Sequence, residues 1–298
     1  MIGGFLRSGL YAITALLVFS GVGFAQKAVP TRDQLEKIVQ AKSAYLLDVT
    51  TGTILYERNR TKPYPPASTV KLMTALLTYE KSRLEGNVLV QPEDTQVEPS
   101  HVPLIAGEVV AVRDLVRALL VGSDNDSALA LARFHSGSYE RFVALMNDKA
   151  ARLGCQRTRF VNPNGLPAAG QFTTATDLMK IFEAAIRIPE LRRICQLGSI
   201  ELDTRAGHQI VKNHNKLLGK YPGMGPAKTG WTYASKHTYA ASATREGREL
   251  HLILLNSTNK WVDAQALFDY GFANLPILNP EPVGPPVPMA PKPTTGSM

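Results

Sequence analysis

The sequence predicts an α/β fold of the α+β kind: an antiparallel sheet flanked by helices, with a helical subdomain inserted between strands that lie far apart in the chain. Three observations carry this. Residues 43–58, SAYLLDVTTGTILYER, read as two strands joined at Thr51-Gly52, a hairpin signal. From Ser68 to residue 188 the apolar residues recur mainly with helical spacing. From residue 199 strand patterns return, and one more helix closes the chain. That order places the first and last strands in one sheet and makes the helical block an insertion.

The elements follow in order. TRDQLEKIVQAK (31–42) reads as a helix with Thr31 as its cap. KPYPPA (62–67) is punctuation. The stretch from Ser68 to Lys81 carries Val70, Leu72, Met73, Ala75, Leu76 and Leu77, apolar on most sides, so it reads as a buried helix. VVAVRDLVRALLVG (109–122) and NDSALALARFH (125–135) read as two helices joined by Gly122-Ser123-Asp124. SYERFVALMNDKAARLG (138–154) reads as a helix ending at Gly154. FVNPNGLP (160–167) is a turn-rich loop, and 174–188 a helix stopped by Pro189. Strands are expected at 199–204 and 207–213, a hairpin over 237–257 turning at Glu246-Gly247, and a helix over 261–275. This gives one domain over 26–275 with a helical subdomain at about 85–190. The tail, 276–298, is crowded with proline, lacks apolar periodicity, and reads as disordered or polyproline-like. It has no amphipathic pattern of a membrane-surface helix.

Residues 1–25 have the layout of a signal peptide: Arg7, an apolar run from Leu10 to Val22, then small residues before a cut after Ala25. The apolar run is short for a spanning helix, and no Cys follows it as in a lipoprotein. The expectation is a secreted or periplasmic protein with no transmembrane anchor after signal cleavage. The net charge of +8 reads as a solvated basic surface, because no basic-aromatic platform for nucleic acid is visible. The six histidines show no HExxH spacing, so no metal or cofactor is expected. Cys155 and Cys195 lack CxxC spacing. A disulfide between them and two separate buried thiols stand as alternatives.

The chemistry centres on PPASTVKLMTALLTYE. Ser68 and Lys71, at i and i+3, share one helix face. Ser68 reads either as a helix cap or as a nucleophile with Lys71 as its base, placed where a helix N-terminus favours an oxyanion. S-x-x-K alone is weak: STNK (257–260) matches too, but it follows a strand and opens no helix. Two further elements decide. Ser123-Asp124-Asn125 lies between two helices, and Lys228-Thr229-Gly230 opens the strand-rich block in GMGPAKTGWT. S-x-x-K, S-x-N and K-T-G in that order form the signature shared by penicillin-binding proteins and class A β-lactamases.

Beyond the triplets, AYLLDVTTGTILYERN, PPASTVKLMTALLTYE, FVNPNGLP with TATDL, and AKTGWT with AASATREGRELHLILLNS resemble the low-molecular-mass penicillin-binding proteins, the D-alanyl-D-alanine carboxypeptidase family. The resemblance runs from Lys42 to Asn274. It implies a β-lactamase/transpeptidase-like fold with the active site between sheet and helical subdomain. It further implies peptidoglycan stem peptides as substrate and β-lactams as inhibitors. Ser68 would be the nucleophile and Lys71 its base, with Ser123 and Asn125 assisting. Lys228 and Thr229 would bind the terminal carboxylate. The backbone N–H groups of Ser68 and Trp231, beside Gly230, would form the oxyanion hole. His214, Lys260 and Arg245 are further candidates near the site, and Trp231 a candidate for its rim.

The chain departs from the family in carrying Ser-Asp-Asn where carboxypeptidases commonly have Ser-Gly-Asn. It also passes from its closing helix into a proline-rich tail, where many members have a second domain and an amphipathic anchor. That leans toward the shorter members, some of them D,D-endopeptidases, the nearest alternative. A serine β-lactamase would need a Glu in an E-x-x-L-N loop, and none of Glu140, Glu183, Glu190 and Glu201 is followed by that pattern. An idle envelope-binding protein would have lost a motif residue, and all three motifs are intact.

Overall fold

The computed structural model describes residues 29–97 and 102–276. The predicted signal peptide lies outside these residues, as does the tail from residue 277. In chain order the elements are α1 (Arg32–Ile38), β1 (Ser43–Asp48), β2 (Thr53–Arg58), a 3₁₀ turn (Ala67–Val70), α2 (Lys71–Ser82), β3 (Asn87–Leu89) and β4 (Val109–Ala111). There follow α3 (Val112–Arg117), a π-helical turn (Ala118–Gly122), α4 (Asn125–Ser136), α5 (Tyr139–Arg152), α6 (Ala175–Ile186) and α7 (Pro189–Cys195). The chain closes with β5 (Ser199–Thr204), β6 (Gly207–Lys212), β7 (Met224–Thr232), β8 (Lys236–Arg245), β9 (Arg248–Ser257) and α8 (Lys260–Ala273).

The main sheet is antiparallel, in the order β2-β1-β9-β8-β7. As expected, the first strands pair with the last: Ser43 lies opposite Leu255 and Asp48 opposite Leu250. Side chains of β9 alternate between two cores, as strand geometry requires. Leu250, Leu252 and Leu254 pack with α1 and α8, through Leu35, Leu267 and Phe268. Ile253 and Leu255 face the helical block, with α2 and α6. The sheet is therefore a middle layer, buried on both sides. Its β7 edge stands beside the 3₁₀ turn that carries Ser68.

Several elements differ from expectation. Residues 109–122 do not form one helix. Val109 and Val110, β-branched residues that favour strands, pair with Leu89 and Val88 in a short ribbon. A helix and a π-helical turn follow, and the turn ends at Ser123 with φ 60°, in the left-handed region. Pro189 stops α6 but also starts α7, because proline suits the first position of a helix. β5 and β6 pair only with each other and stay outside the main sheet.

Candidate active site

Ser68 is not the first residue of the long helix. It lies in the 3₁₀ turn just ahead of α2, and no side chain caps either element. Its hydroxyl instead meets Lys71, whose Nζ lies 3.0 Å from Ser68 Oγ. The turn is forced into place by its neighbours. Ala67 has φ 47°, a left-handed conformation costly for alanine. The Pro66 carbonyl before it accepts from Thr69 Oγ1 at 2.6 Å and from Thr238 Oγ1 of β8 at 2.9 Å.

Lys71 is fully buried. Besides meeting Ser68, its Nζ donates to Asn125 Oδ1 at 2.8 Å and to the Asn164 carbonyl at 2.6 Å. The last two partners only accept. A neutral amine satisfies both with its two N–H bonds and turns its lone pair to the third partner, the Ser68 hydroxyl. The surroundings favour that neutral form. Burial, and then the charge of Lys228, hold the Lys71 amine well below the usual lysine range.

Lys228 on β7 is likewise buried, and its Nζ donates to Ser123 Oγ at 2.8 Å and to the Thr229 carbonyl at 2.9 Å. Burial brings it down to about 7, with the charge of Lys260 adding to the effect. The three motifs thus form two hydrogen-bonded groups, Ser68 to Lys71 to Asn125 and Ser123 to Lys228, coupled by the charge of Lys228 acting on Lys71.

The cleft beside this network has a volume of about 550 Å³. Ser68, Ser123, Asn125, Thr229, Gly230 and Trp231 all line it. Lys71 and Lys228 sit behind its wall and reach it through the two serines. Gly230 is required by contact: a Cβ there would lie 2.8 Å from the Ser68 nitrogen. That places the β7 backbone at Gly230-Trp231 against the Ser68 amide. Trp231 is half-exposed at the rim.

The Asp of Ser-Asp-Asn turns away from the cleft. Asp124 Oδ2 accepts from the Ser127 amide at 2.8 Å and the Ser127 hydroxyl at 2.6 Å, capping α4. Its Oδ1 accepts from the Val102 amide at 3.0 Å. The substitution is structural and leaves Ser123 and Asn125 in the site.

Of the further candidates, His214 and Lys260 line the cleft. Arg245 does not. It pairs with Asp269 at 3.3 Å and lies over Tyr221 and Phe272, outside the cleft, so it adds no charge there. Cys155 and Cys195 are separate free thiols rather than a disulfide, Cys195 buried and Cys155 only partly so. Among the described residues no His, Cys, Asp and Glu cluster could hold a metal.

Sequence reasoning missed the Asn164 carbonyl, and Asn213, Lys216, His237 and Trp261 in the cleft lining. Asn164 had a signal in Asn-Gly: Gly165 adopts φ +85° and packs against the backbone of Ala67 and Ser68.

The sequence profile described as D-alanyl-D-alanine carboxypeptidase matches residues 29–259. The D-alanyl-D-alanine carboxypeptidase DacB2 of Mycobacterium tuberculosis is 35% identical over 249 residues, covering 81% of this chain and 84% of its own. The carboxypeptidase DacF of Bacillus subtilis is 31% identical, covering 90% and 71%. A D-alanyl-D-alanine endopeptidase of Pseudomonas aeruginosa is 28% identical, covering 86% and 85%. Among solved structures, a D-alanyl-D-alanine carboxypeptidase from Mycobacterium tuberculosis H37Rv superposes with a TM-score of 0.75 at 34% identity, covering 85% of this chain and 95% of that one. The Streptomyces K15 DD-transpeptidase gives 0.75 at 28% identity, covering 83% and 99%.

Proposed function

The chain belongs to the D-alanyl-D-alanine carboxypeptidase family, and from that premise we propose that it removes the terminal D-Ala of peptidoglycan stem peptides through an acyl-enzyme on Ser68. The observation that carries the reading is the Lys71 amine. Two of its three partners are carbonyl oxygens and the third is the Ser68 hydroxyl.

Ser68 Oγ attacks the carbonyl carbon of the penultimate D-Ala as its proton passes to Lys71 Nζ. The oxyanion lies between the backbone N–H groups of Ser68 and Trp231. The C–N bond then breaks as the proton held on Lys71 passes by way of Ser123 to the leaving amine, which leaves Lys71 neutral and Ser123 protonated again. Thr229 and Lys260 receive the terminal carboxylate, and the charge of Lys228 behind the cleft wall attracts it. Asn125 holds Lys71 and the substrate amide. Water attacks the ester, Lys71 takes its proton, and Ser68 is restored.

A β-lactam enters the same path and stops at the acyl stage. Among the described residues the cleft lining contains no carboxylate to activate a water against that ester, which favours a penicillin target over a β-lactamase. We place the site of action outside the cytoplasm, where the substrate lies. No helix of the described residues is long and apolar enough to cross a membrane.

The test is intact mass over time with a fluorescent penicillin, on the wild type and Ser68→Ala. A stable adduct on the wild type alone, with D-Ala released from a pentapeptide, is expected. Rapid drug loss without an adduct would make the protein a β-lactamase. Cleavage of cross-linked dimers without D-Ala release would make it an endopeptidase.

A further inference from the structure

Lys260 is placed against the electrostatics of its own element. It is the first residue of α8, where the helix dipole disfavours a cation. Its side chain is more than nine-tenths buried, yet among the described residues no carboxylate pairs with it. The acid in the same helix turn, Asp263, is engaged elsewhere: it accepts from the Gln40 amide at 2.8 Å and the Ser257 hydroxyl at 2.7 Å. The charged neighbours that act on Lys260 and its surroundings are Lys216 and Lys228, both cationic. A long side chain held there needs an acceptor that carries no negative charge, or it would pair internally and close the anion site.

His237 is that acceptor. It is the second residue of β8, opposite Trp231 of β7, and its Nδ1 lies 2.9 Å from Lys260 Nζ. An ammonium only donates, so Nδ1 carries the lone pair and Nε2 the proton. The ring of Trp261 lies 4.4 Å from the same Nζ and supports it from another side. Both His237 and Lys260 line the cleft.

We propose that His237 is a positioning residue for substrate binding: its Nδ1 takes one N–H of Lys260 and so aims the remaining two into the cleft, toward the terminal carboxylate of the peptide. The inference rests on the carboxypeptidase reading of the site. His237 itself touches no reacting atom. Burial and the charge of Lys260 lower the imidazole pKa, which keeps the accepting lone pair free at neutral pH.

The experiment is steady-state D-Ala release by the wild type, His237→Leu, His237→Asn, Lys260→Met and the His237→Leu/Lys260→Met double variant. His237→Leu should raise KM about tenfold, roughly the worth of one charge-assisted hydrogen bond, with kcat within about twofold. His237→Asn, whose Oδ1 can replace Nδ1, should restore most of the loss. In the Lys260→Met background His237→Leu should cost nothing more. Equal losses for Leu and Asn, an effect confined to kcat, or additive losses in the double variant would overturn the proposal. A second readout needs no altered fold: the ¹⁵N resonance of His237 Nδ1 in the wild type, assigned by its absence in His237→Asn, should be that of an unprotonated accepting nitrogen. A protonated Nδ1 would overturn the proposal. If the wild type released no D-Ala, the catalytic reading would fail first, and the ¹⁵N measurement would still decide the His237–Lys260 geometry.

Discussion

Lys71 and Lys228 have opposite requirements in one site. In the proposed mechanism Lys71 works as a base when neutral, and Lys228 attracts an anion when charged. Burial depresses both. For D-Ala release, kcat/KM should therefore rise with pH as Lys71 loses its proton, and fall as Lys228 discharges at about 7 and Lys260 at about 8. Lys228→Met removes the like charge beside Lys71 and should move the acid limb to higher pH. The same substitution should stabilise the fold. A lysine whose pKa is depressed on folding penalises stability as pH falls from the ordinary lysine value, and the penalty is complete below about 7 for Lys228. At about 1.4 kcal/mol per unit this amounts to several kcal/mol. Lys228→Met should melt higher than wild type at pH 6 while losing most activity, which calorimetry and a rate assay check together. A lower melting point would show that burial of the amine is not what it costs the fold.

At the level of elements, the segments around the site are held by side chains that face away from the cleft. Asp124 caps α4 and fixes the Val102 segment at once. Asp124→Ala should cost roughly 1–3 kcal/mol by denaturant unfolding, while penicillin acylation of the folded fraction persists. Acylation lost with stability unchanged would instead put Asp124 in the chemistry. The side chains of the motifs were legible in sequence, because each is a distinct polar type at a fixed spacing on a predictable element. The Asn164 carbonyl was not, since every residue carries a carbonyl and only the fold selects this one. β3 and β4 are three residues long, too short for a period of two to register. α7 was hidden by Pro189, read only as a stop. Lys260 matched a discarded S-x-x-K and still reached the cleft, because β9 returns the chain to the Ser68 side.

Across the whole molecule, the sheet and the helical layer are joined by more than apolar packing. His251 of β9 lies between two carboxylates, Nδ1 at 3.1 Å from Glu183 of α6 and Nε2 at 3.2 Å from Glu249. Arg192 of α7 closes the network on Glu249 at 2.7 Å. Both ring nitrogens donate only in the imidazolium form. Burial opposes that charge, but the two carboxylates outweigh it and raise the imidazole pKa. The sign follows: this stability is present below the ordinary histidine pKa and is lost as pH rises through the raised folded value. The melting-temperature gap between wild type and His251→Leu should narrow from pH 6 to pH 9. A gap that widens or holds constant would show the histidine to be neutral.

The pairing of β1 with β9 has a consequence in time. Ser43 meets its partner only when the chain has been made as far as Leu255. At about 5–20 residues per second, that is on the order of 10–40 s of synthesis. Through this interval β1, apolar and destined to be covered on both faces, has β2 for company but no sheet. Such late closure makes folding slow. It also makes the half-made chain a natural client for whatever shields exposed strands in the cell.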